Sequence, residues 1–339
     1  MGSGLNYLVN EIDKTPGVTG SWQDVDVSAD GVPAGATGVI LRLANPTTSH
    51  ANIAVRKNGS TDTRTPGLGT ENGGRQHTGA MVGIDANRVF EAYISTTSVK
   101  VYLIGYTTDS TDFLTNSVNK SPGTTGSWQS VDVSGNGVVS GATGVICQLV
   151  NTSSSNYNGG IRATGSTDTF TLGTVPRTYP QNGQVYQVCA LDANRTFEAQ
   201  IANAAVRVWV IGYFMAPVTF ETNAISYALG TTAAWTDISV TGGASPATAD
   251  GVMWLIKNTE VNNVESGGSR KNGSTDESYA QLPATGCAAF FAGLDGSMVG
   301  EGKISVTTID HYVIGYARPA TAAGLVYECR ATATAGNVN

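Results

Sequence analysis

The apolar segment at residues 99–106, Val-Lys-Val-Tyr-Leu-Ile-Gly-Tyr, occurs three times in this chain. It returns at 206–213 as Val-Arg-Val-Trp-Val-Ile-Gly-Tyr and, in shorter form, at 312–316 as Tyr-Val-Ile-Gly-Tyr. The chain is therefore three copies of one unit, and each copy closes with this segment. Because its second half is apolar on both faces, the segment is predicted to be a strand in the middle of a sheet that is covered on both sides.

The repeat divides the 339 residues into three domains of about 100 residues each, a usual domain size. The predicted bounds are 1–109, 110–216 and 217–318, with an extension at 319–339. A second recurring segment, Trp-x-x-Val-x-Val with Ile once in place of Val, begins at Trp22, Trp128 and Trp235. The linkers are short, so the domains are expected to touch. Three copies are compatible with a ring or with a line.

Each copy contains seven or eight short apolar segments separated by turn residues, and no window has helical periodicity. Glycine is abundant, at 42 residues, and only 13% of residues are charged. These features predict an all-β protein made of three tandem homologous antiparallel β-sandwiches, of the jelly-roll or the immunoglobulin-like type.

Charge and composition exclude several classes of function. A net charge of −7 without any basic run argues against nucleic-acid binding. No apolar run reaches the ~20 residues that span a bilayer, so membrane insertion is not expected, and the first residues do not resemble a secretory signal. The cysteines do not recur between copies and are predicted to be buried free thiols, with a Cys147–Cys189 pair as the alternative. They are Cys147, Cys189, Cys287 and Cys329.

Turn residues are the most regular polar feature of the repeat. Asn58-Gly59 and Asn272-Gly273 predict type I′ hairpin turns, and Thr164-Gly165 predicts a turn of another type in the second copy. The aspartates that follow are predicted to cap these turns rather than to bind calcium. They are Asp62, Asp168 and Asp276. The preceding Arg56, Arg162 and Arg270 are expected to pair with these aspartates across the hairpin.

A second turn, Asp-Ala-Asn-Arg, begins at Asp85 and at Asp192. Aspartate opens such a turn, and the asparagines, Asn87 and Asn194, are expected to adopt the left-handed conformation. Glu91, Glu198 and Glu301 recur on the next strand, but glycoside hydrolysis needs a second facing carboxylate and none recurs nearby. The three histidines do not recur, and nucleotide, metal and nucleophile motifs are absent. The sequence predicts no enzyme, no cofactor and no metal.

The segments between these two turns differ in length from copy to copy and are where specific contacts are expected. The candidate contact residues are Tyr157, Arg177, Tyr179 and Tyr279. Trp22, Trp128 and Trp235 lie at a fixed place in the repeat and are predicted to be core residues.

Three elements together resemble virion proteins of tailed bacteriophages, such as head fibres, decoration proteins and tail accessories. They are the Trp-x-x-Val-x-Val strand, the Lys-Asn-Gly-Ser-Thr-Asp turn at 57–62 and the Val-x-x-Ile-Gly-Tyr strand. The resemblance implies a non-enzymatic structural protein of the virion, assembled in the host cytoplasm, that binds other virion proteins or its own copies as a homo-oligomer.

Two other interpretations remain open on the sequence alone. One is a secreted or surface carbohydrate-binding protein with three related modules, whose partner would be a host surface glycan. The other is a cell-surface adhesin or filament subunit.

Overall fold

The computed structural model describes residues 4–68, 76–155, 157–169, 172–174, 183–241 and 248–317. Every regular element in these residues is a β-strand, and each repeat contributes eight. The strands of repeat 1 are β1 Leu5–Asp13, β2 Trp22–Asp26, β3 Gly38–Asn45, β4 Ala51–Lys57, β5 Gly67–Leu68, β6 Gln76–Gly83, β7 Val89–Ile94 and β8 Lys100–Thr107. Those of repeat 2 are β9 Thr111–Asn119, β10 Gln129–Asp132, β11 Gly144–Asn151, β12 Tyr157–Ala163, β13 Leu172–Thr174, β14 Gly183–Ala190, β15 Thr196–Ile201 and β16 Val206–Phe214. Those of repeat 3 are β17 Thr219–Ala228, β18 Thr236–Ser239, β19 Gly251–Asn258, β20 Glu265–Lys271, β21 Tyr279–Leu282, β22 Cys287–Gly293, β23 Val299–Ile304 and β24 Ile309–Ala317.

The strand order of every repeat is that of a jelly roll. One sheet of repeat 1 has the order β1-β8-β3-β6, and the remaining strands have the order β2-β7-β4-β5. The two later repeats have the same two strand orders, and a single parallel bridge between β5 and β14 joins the second sheet of repeat 1 to repeat 2. Pairing the first strand with the last places the closing strand inside its sheet, between the first and third strands. The all-β prediction is confirmed, and this order selects the jelly roll over the immunoglobulin-like sandwich.

Each repeat has its own apolar core between its two sheets. Side chains alternate between the two faces of β8. Val101 and Leu103 therefore fill the core of repeat 1, while the neighbouring Ile104 points to the other face of the sheet. We call the sheet that contains the closing strand the inner sheet, because its second face packs against the other repeats.

A fourth apolar cluster joins all three repeats. Its members come from the inner sheets and from the segments that lead into them, and equivalent positions contribute equivalent residues, such as Ile40, Ile146 and Met253. The buried residues of this central cluster are Leu5, Ile40, Met81, Phe113, Ile146, Val188, Phe214, Val218, Met253, Phe291 and Ala317. The repeats therefore form a closed ring around a pseudo-threefold axis, and apolar side chains fill its centre.

The turn at Gly59 differs from its predicted type. The Ser60 N–H donates to the Lys57 carbonyl at 3.0 Å, and φ is positive at Gly59 but not at Asn58, as in a type II turn, which requires glycine only at its third position. Gly165 and Gly273 have the same φ of 78°. The type I′ prediction was wrong, as was the prediction of a different turn in repeat 2. The Asn58 amide instead bonds Asp85 at 2.9 Å, and Asn272 bonds Asp295 at 2.7 Å.

The Asp-Ala-Asn-Arg turns differ from the expectation at one residue. Asp85 accepts the N–H groups of Asn87 and Val89, and Asp192 accepts those of Asn194 and Thr196. Although burial raises the pKa of Asp85, the hydrogen bond from Val89 and its neighbours holds it below its ordinary value. The left-handed residue is the arginine, with φ of 65° at Arg88 and 62° at Arg195. Its guanidinium bonds loop carbonyls of the same repeat, which fixes this otherwise unfavourable conformation.

Replacing Gly59 should therefore destabilise the protein through its backbone alone. An added Cβ at Gly59 would meet open space, but its φ of 78° is unfavourable for a β-branched residue. We expect Gly59→Val to lower the free energy of unfolding by about 1 to 2 kcal/mol in urea denaturation. Gly17→Val is the matched control, because Gly17 is equally open and its φ is not positive. Equal effects of both variants would contradict the assignment.

Three of the four cysteines lie in the described part of the chain, and all three are buried and free: Cys147, Cys189 and Cys287. Cys147 and Cys189 lie on adjacent strands but are offset, since Cys189 is opposite Val145 and Cys147 is opposite Gln187. Such diagonal neighbours are about 7 to 8 Å apart, which is wide for a disulfide. Cys329 lies outside the described residues.

Candidate functional site

The most regular polar and aromatic cluster of the chain lies where one repeat meets the next. We call these contacts joints and name them by the repeats they connect, 1–2, 2–3 and 3–1. Each joint contains one aromatic residue from the first strand of a repeat, which we call the plug, and glycines of the preceding repeat, which we call the socket. The plugs are Phe113 in joint 1–2, Phe220 in joint 2–3 and Tyr7 in joint 3–1.

The socket glycines are required by sterics. A Cβ added at Gly38 would lie 2.3 Å from the Phe113 ring, one at Gly144 would lie 2.1 Å from the Phe220 ring, and one at Gly251 would lie 2.3 Å from the Tyr7 ring. Real Cβ atoms essentially never lie within 3.0 Å of another side chain or backbone atom outside their own chain neighbours. The aromatic rings therefore occupy the space that side chains on the socket strands would otherwise fill.

A β-bulge places an asparagine next to each plug. The first strand of every repeat shifts register just after its plug, for example between Phe113 and Val118 in β9. Bulges re-aim side chains, and here Asn116 faces the Gly-Ser-Thr-Asp turn of repeat 1. Its Oδ1 accepts the Thr61 N–H at 2.7 Å and the Ser60 hydroxyl at 3.1 Å.

The same hydrogen bonds occur at the other two joints. Asn223 accepts the N–H of Thr167 at 2.8 Å, and Asn10 accepts the N–H of Thr275 at 3.0 Å. The aspartate that ends each turn receives a backbone N–H from the next repeat. These pairs are Ser117 to Asp62 at 2.9 Å, Ala224 to Asp168 at 2.8 Å and Glu11 to Asp276 at 2.8 Å. The turns assigned to hairpins therefore also hold the ring together.

Joint 3–1 differs from the others in its plug. Tyr7 replaces phenylalanine, and its hydroxyl is buried and has no hydrogen-bond partner among the described residues. Burial and the nearby Asp250 carboxyl raise the pKa of Tyr7. The Lys271 ammonium contacts the Tyr7 carbonyl at 3.3 Å, whereas Lys57 contacts the Phe113 carbonyl at 2.9 Å.

Removing one joint asparagine should measurably weaken the ring. Asn116→Ala deletes the acceptor shared by Ser60 and Thr61, and we expect a loss of about 1 to 2 kcal/mol in the free energy of unfolding. Asn158→Ala is the control, because Asn158 is exposed and accepts the Ala202 N–H with its backbone carbonyl, which the substitution keeps. If both variants had the same stability, the joint bonds would contribute nothing.

The recurring arginines have partners other than those predicted. Arg56 forms a two-pronged ion pair with Glu91, at 2.8 and 2.9 Å, and it bonds the Asp62 carbonyl rather than its carboxylate. The same arginine–glutamate pairs occur in repeats 2 and 3. Each guanidinium also lies 4.2 to 4.3 Å from the ring of the recurring tryptophan.

The prediction that these tryptophans are core residues was wrong, because Trp22, Trp128 and Trp235 are only half-buried. Trp22 begins an edge strand and the other two directly precede one, which leaves one side of each ring open, and the guanidinium covers part of that ring. The recurring glutamates, which were considered as catalytic acids, form ion pairs with arginine in all three repeats.

A small cleft follows each of the three joints, and the polar side chains that line the clefts differ. In joint 1–2 the Arg64 guanidinium lies 3.9 Å from the Trp209 ring and bonds Ser117 at 2.7 Å. Beside joint 3–1, Arg42 lies over the Tyr102 ring at 4.2 Å and pairs with Glu11. Joints 1–2 and 3–1 thus combine the common hydrogen bonds with charged contacts of their own.

The predicted contact residues are not assembled into one site. Tyr157 begins β12 and packs against the core of repeat 2, and Tyr279 begins β21, with the Lys303 ammonium 4.9 Å from its ring. Both lie in strands rather than loops, because tyrosine fits a half-buried pleated surface. Arg177 and Tyr179 lie outside the described residues.

The sequence does contain a signal for the joints. The pattern aromatic-x-x-Asn occurs at 7–10, 113–116 and 220–223, with the same spacing as the recurring tryptophans. The pattern marks both the plug and its asparagine, but only the bulge reveals that the asparagine faces another repeat.

Within the described ranges, no group of three or more His, Cys, Asp or Glu side chains is placed to hold a metal ion. The same ranges contain no helix that is long and apolar enough to cross a membrane.

No protein-family model and no curated protein matches this chain. Two similar solved structures come from viruses of archaea. One is described as "Life in the extremes: atomic structure of Sulfolobus Turreted Icosahedral Virus", with a TM-score of 0.22, 10% identity, and coverage of 92% of this chain and 89% of that chain. The other is described as "The Triple Jelly Roll Fold and Turret Assembly in an Archaeal Virus", with a TM-score of 0.24, 10% identity, and coverage of 93% and 89%. At these TM-scores, the fold is established by the strand order of this chain itself.

Proposed function

We propose that this protein is a non-enzymatic structural component of a virus particle. The observation that carries the proposal is the closed ring of three jelly rolls. Three units that fold around one shared apolar centre make a rigid block, and its repeated side chains serve packing and joint formation. Jelly rolls are common in viral capsid proteins and in lectins, so the choice between them depends on the sites.

The described residues favour the structural role over carbohydrate binding. Sugar binding usually requires an open aromatic ring, and the recurring tryptophans are partly covered by arginine. The recurring carboxylates are likewise engaged, either in ion pairs or in joints. The low charged fraction of 13% suits a surface that meets other protein surfaces.

The finer assignment is a capsid decoration protein, head fibre or tail accessory of a tailed bacteriophage, bound to other virion proteins or to its own copies. It is supported by the bacteriophage-like segments of the sequence. The arrangement around a pseudo-threefold axis also gives the ring a shape that can lie on a threefold axis of a shell or cap a trimeric protein.

Immunoelectron microscopy of purified particles tests this function. Antibodies against the ring should label particles from cultures that carry the gene, and the labelled part of the particle should distinguish decoration, fibre and tail roles. A glycan array with the purified protein should show no binding. Particles without the protein, together with specific binding of one sugar, would overturn the proposal in favour of the carbohydrate-binding alternative.

A further inference from the structure

Joint 3–1 is the one joint without a short connection along the chain. Joint 1–2 has the linker 108–110 and joint 2–3 has the linker 215–218, whereas Tyr7 and its socket at Gly251 and Gly293 are more than 240 positions apart. The ring closes here through the same plug, asparagine and aspartate contacts that the linked joints use. At this joint, repeat 3 and repeat 1 are therefore held together only by an interface between two folded units.

The asparagine contacts of this joint are also the longest of the three sets. The Asn10 Oδ1 lies 3.3 Å from the Ser274 hydroxyl and 3.0 Å from the Thr275 N–H, whereas the matching distances at Asn116 are 3.1 and 2.7 Å. The buried Tyr7 hydroxyl without a partner adds a cost that Phe113 and Phe220 avoid. Because no linker holds its two halves together, we expect joint 3–1 to be the first joint to open.

We propose that joint 3–1 is an interface through which two copies of this chain exchange their first repeats. In the resulting dimer, repeat 1 of one copy completes the ring that is formed by repeats 2 and 3 of the other copy, so that joints 3–1 and 1–2 both open in each copy and both form again between the copies. The proposal goes beyond the virion role and does not depend on it.

The geometry of the joints favours exchange over open-ended assembly. An opened ring exposes the Gly251 socket, the turn at 274–276 and the Tyr7 plug, and the surface complementary to each is present on every copy. Each joint rotates one repeat relative to the preceding repeat by about one third of a circle, so three repeats complete a ring. When repeat 1 has left its place in one ring, that place is therefore filled by repeat 1 of another copy. The linker 108–110 acts as the hinge of such a domain swap.

Exchange is tested with the full chain in two masses, unlabelled and nitrogen-15 labelled. The two forms are mixed at high concentration, separated by size exclusion and weighed by native mass spectrometry. We expect a dimer of mixed mass whose amount rises with concentration. Tyr7→Phe removes the unpaired hydroxyl and should slow dimer formation by about tenfold. Tyr93→Phe is the control and should leave the rate unchanged, because Tyr93 lies on β7, where it pairs with strands of its own repeat and takes no part in a joint.

A pair of engineered disulfides identifies which joint connects the copies. The Asn10→Cys/Thr275→Cys variant should give covalent dimers on a non-reducing gel when the dimer fraction is oxidised. The Asn223→Cys/Thr167→Cys variant should remain monomeric on the same gel, because both residues stay in one copy. Monomers at every concentration, also for Tyr7→Ala, would overturn the proposal. Dimers in which the first disulfide forms within one copy would overturn it as well.

Discussion

Gly144→Val is expected to lower the free energy of unfolding by about 3 kcal/mol. Gly144 lies in strand β11, and its φ is not positive, so valine suits the local backbone. The expected loss comes from another repeat, because all three atoms nearest to an added Cβ belong to the Phe220 ring, at 2.1 to 2.9 Å. Urea denaturation of both proteins measures the effect.

A double-mutant cycle separates this clash from other effects of the substitution. In a Phe220→Ala background, the valine at 144 has space, and we expect Gly144→Val to be almost neutral there. Gly123→Val serves as a surface control, because no atom lies within 4 Å of a Cβ at Gly123. If Gly144→Val cost the same in both backgrounds, the plug-and-socket description of joint 2–3 would be wrong.

The second large effect is a loss of stability in acid that originates from His311. His311 is fully buried on β24, and one ring nitrogen bonds the Gly268 carbonyl at 2.9 Å. Burial lowers the pKa of His311 from 6.5 to about 4, against the smaller opposing effect of that hydrogen bond. Because His311 is harder to protonate in the folded protein than in the unfolded chain, the contribution of the neutral histidine to the free energy of unfolding is complete above the unfolded pKa near 6.5. It is lost as the pH falls toward 4.

Replacing this histidine should remove that part of the pH dependence. Repeats 1 and 2 have Val101 and Val208 at the equivalent position, so His311→Val is the natural variant. Between about pH 7 and about pH 4.5, the native protein should lose about 2 to 3 kcal/mol more than the variant. Urea denaturation at both pH values gives the difference, and the carboxylates shared by both proteins cancel. Parallel losses would mean that His311 does not titrate in this range.

The central cluster could not be predicted residue by residue. The repeated closing strand predicts three β domains and a strand covered on both faces, and both features occur in the fold. The sequence does not reveal what covers the second face of the closing strand, because an apolar residue such as Ile104 could face either a second sheet or another domain. Only the ring identifies Ile40, Ile146 and Met253 as one contact group.

The errors at the turns and tryptophans have a common physical cause. Short sequence patterns identify turn residues, but the conformation is set by partners that are distant in sequence. Asn58 avoids the left-handed region because its amide bonds Asp85, and Arg88 enters it because loop carbonyls hold its guanidinium. Likewise, Arg56 pairs with Glu91 because these residues lie opposite each other on β4 and β7, a register that the sequence alone does not give.

The filled centre of the ring has a consequence for how the protein can vary. A change in one inner sheet is felt by the other two repeats, because their side chains share a single packed volume. The chain between the two turns of each repeat differs in length among the three copies, yet it contributes Met81, Val188 and Phe291 to this same volume. Its length can therefore vary from repeat to repeat only as long as the strand that follows returns one apolar side chain to the shared centre.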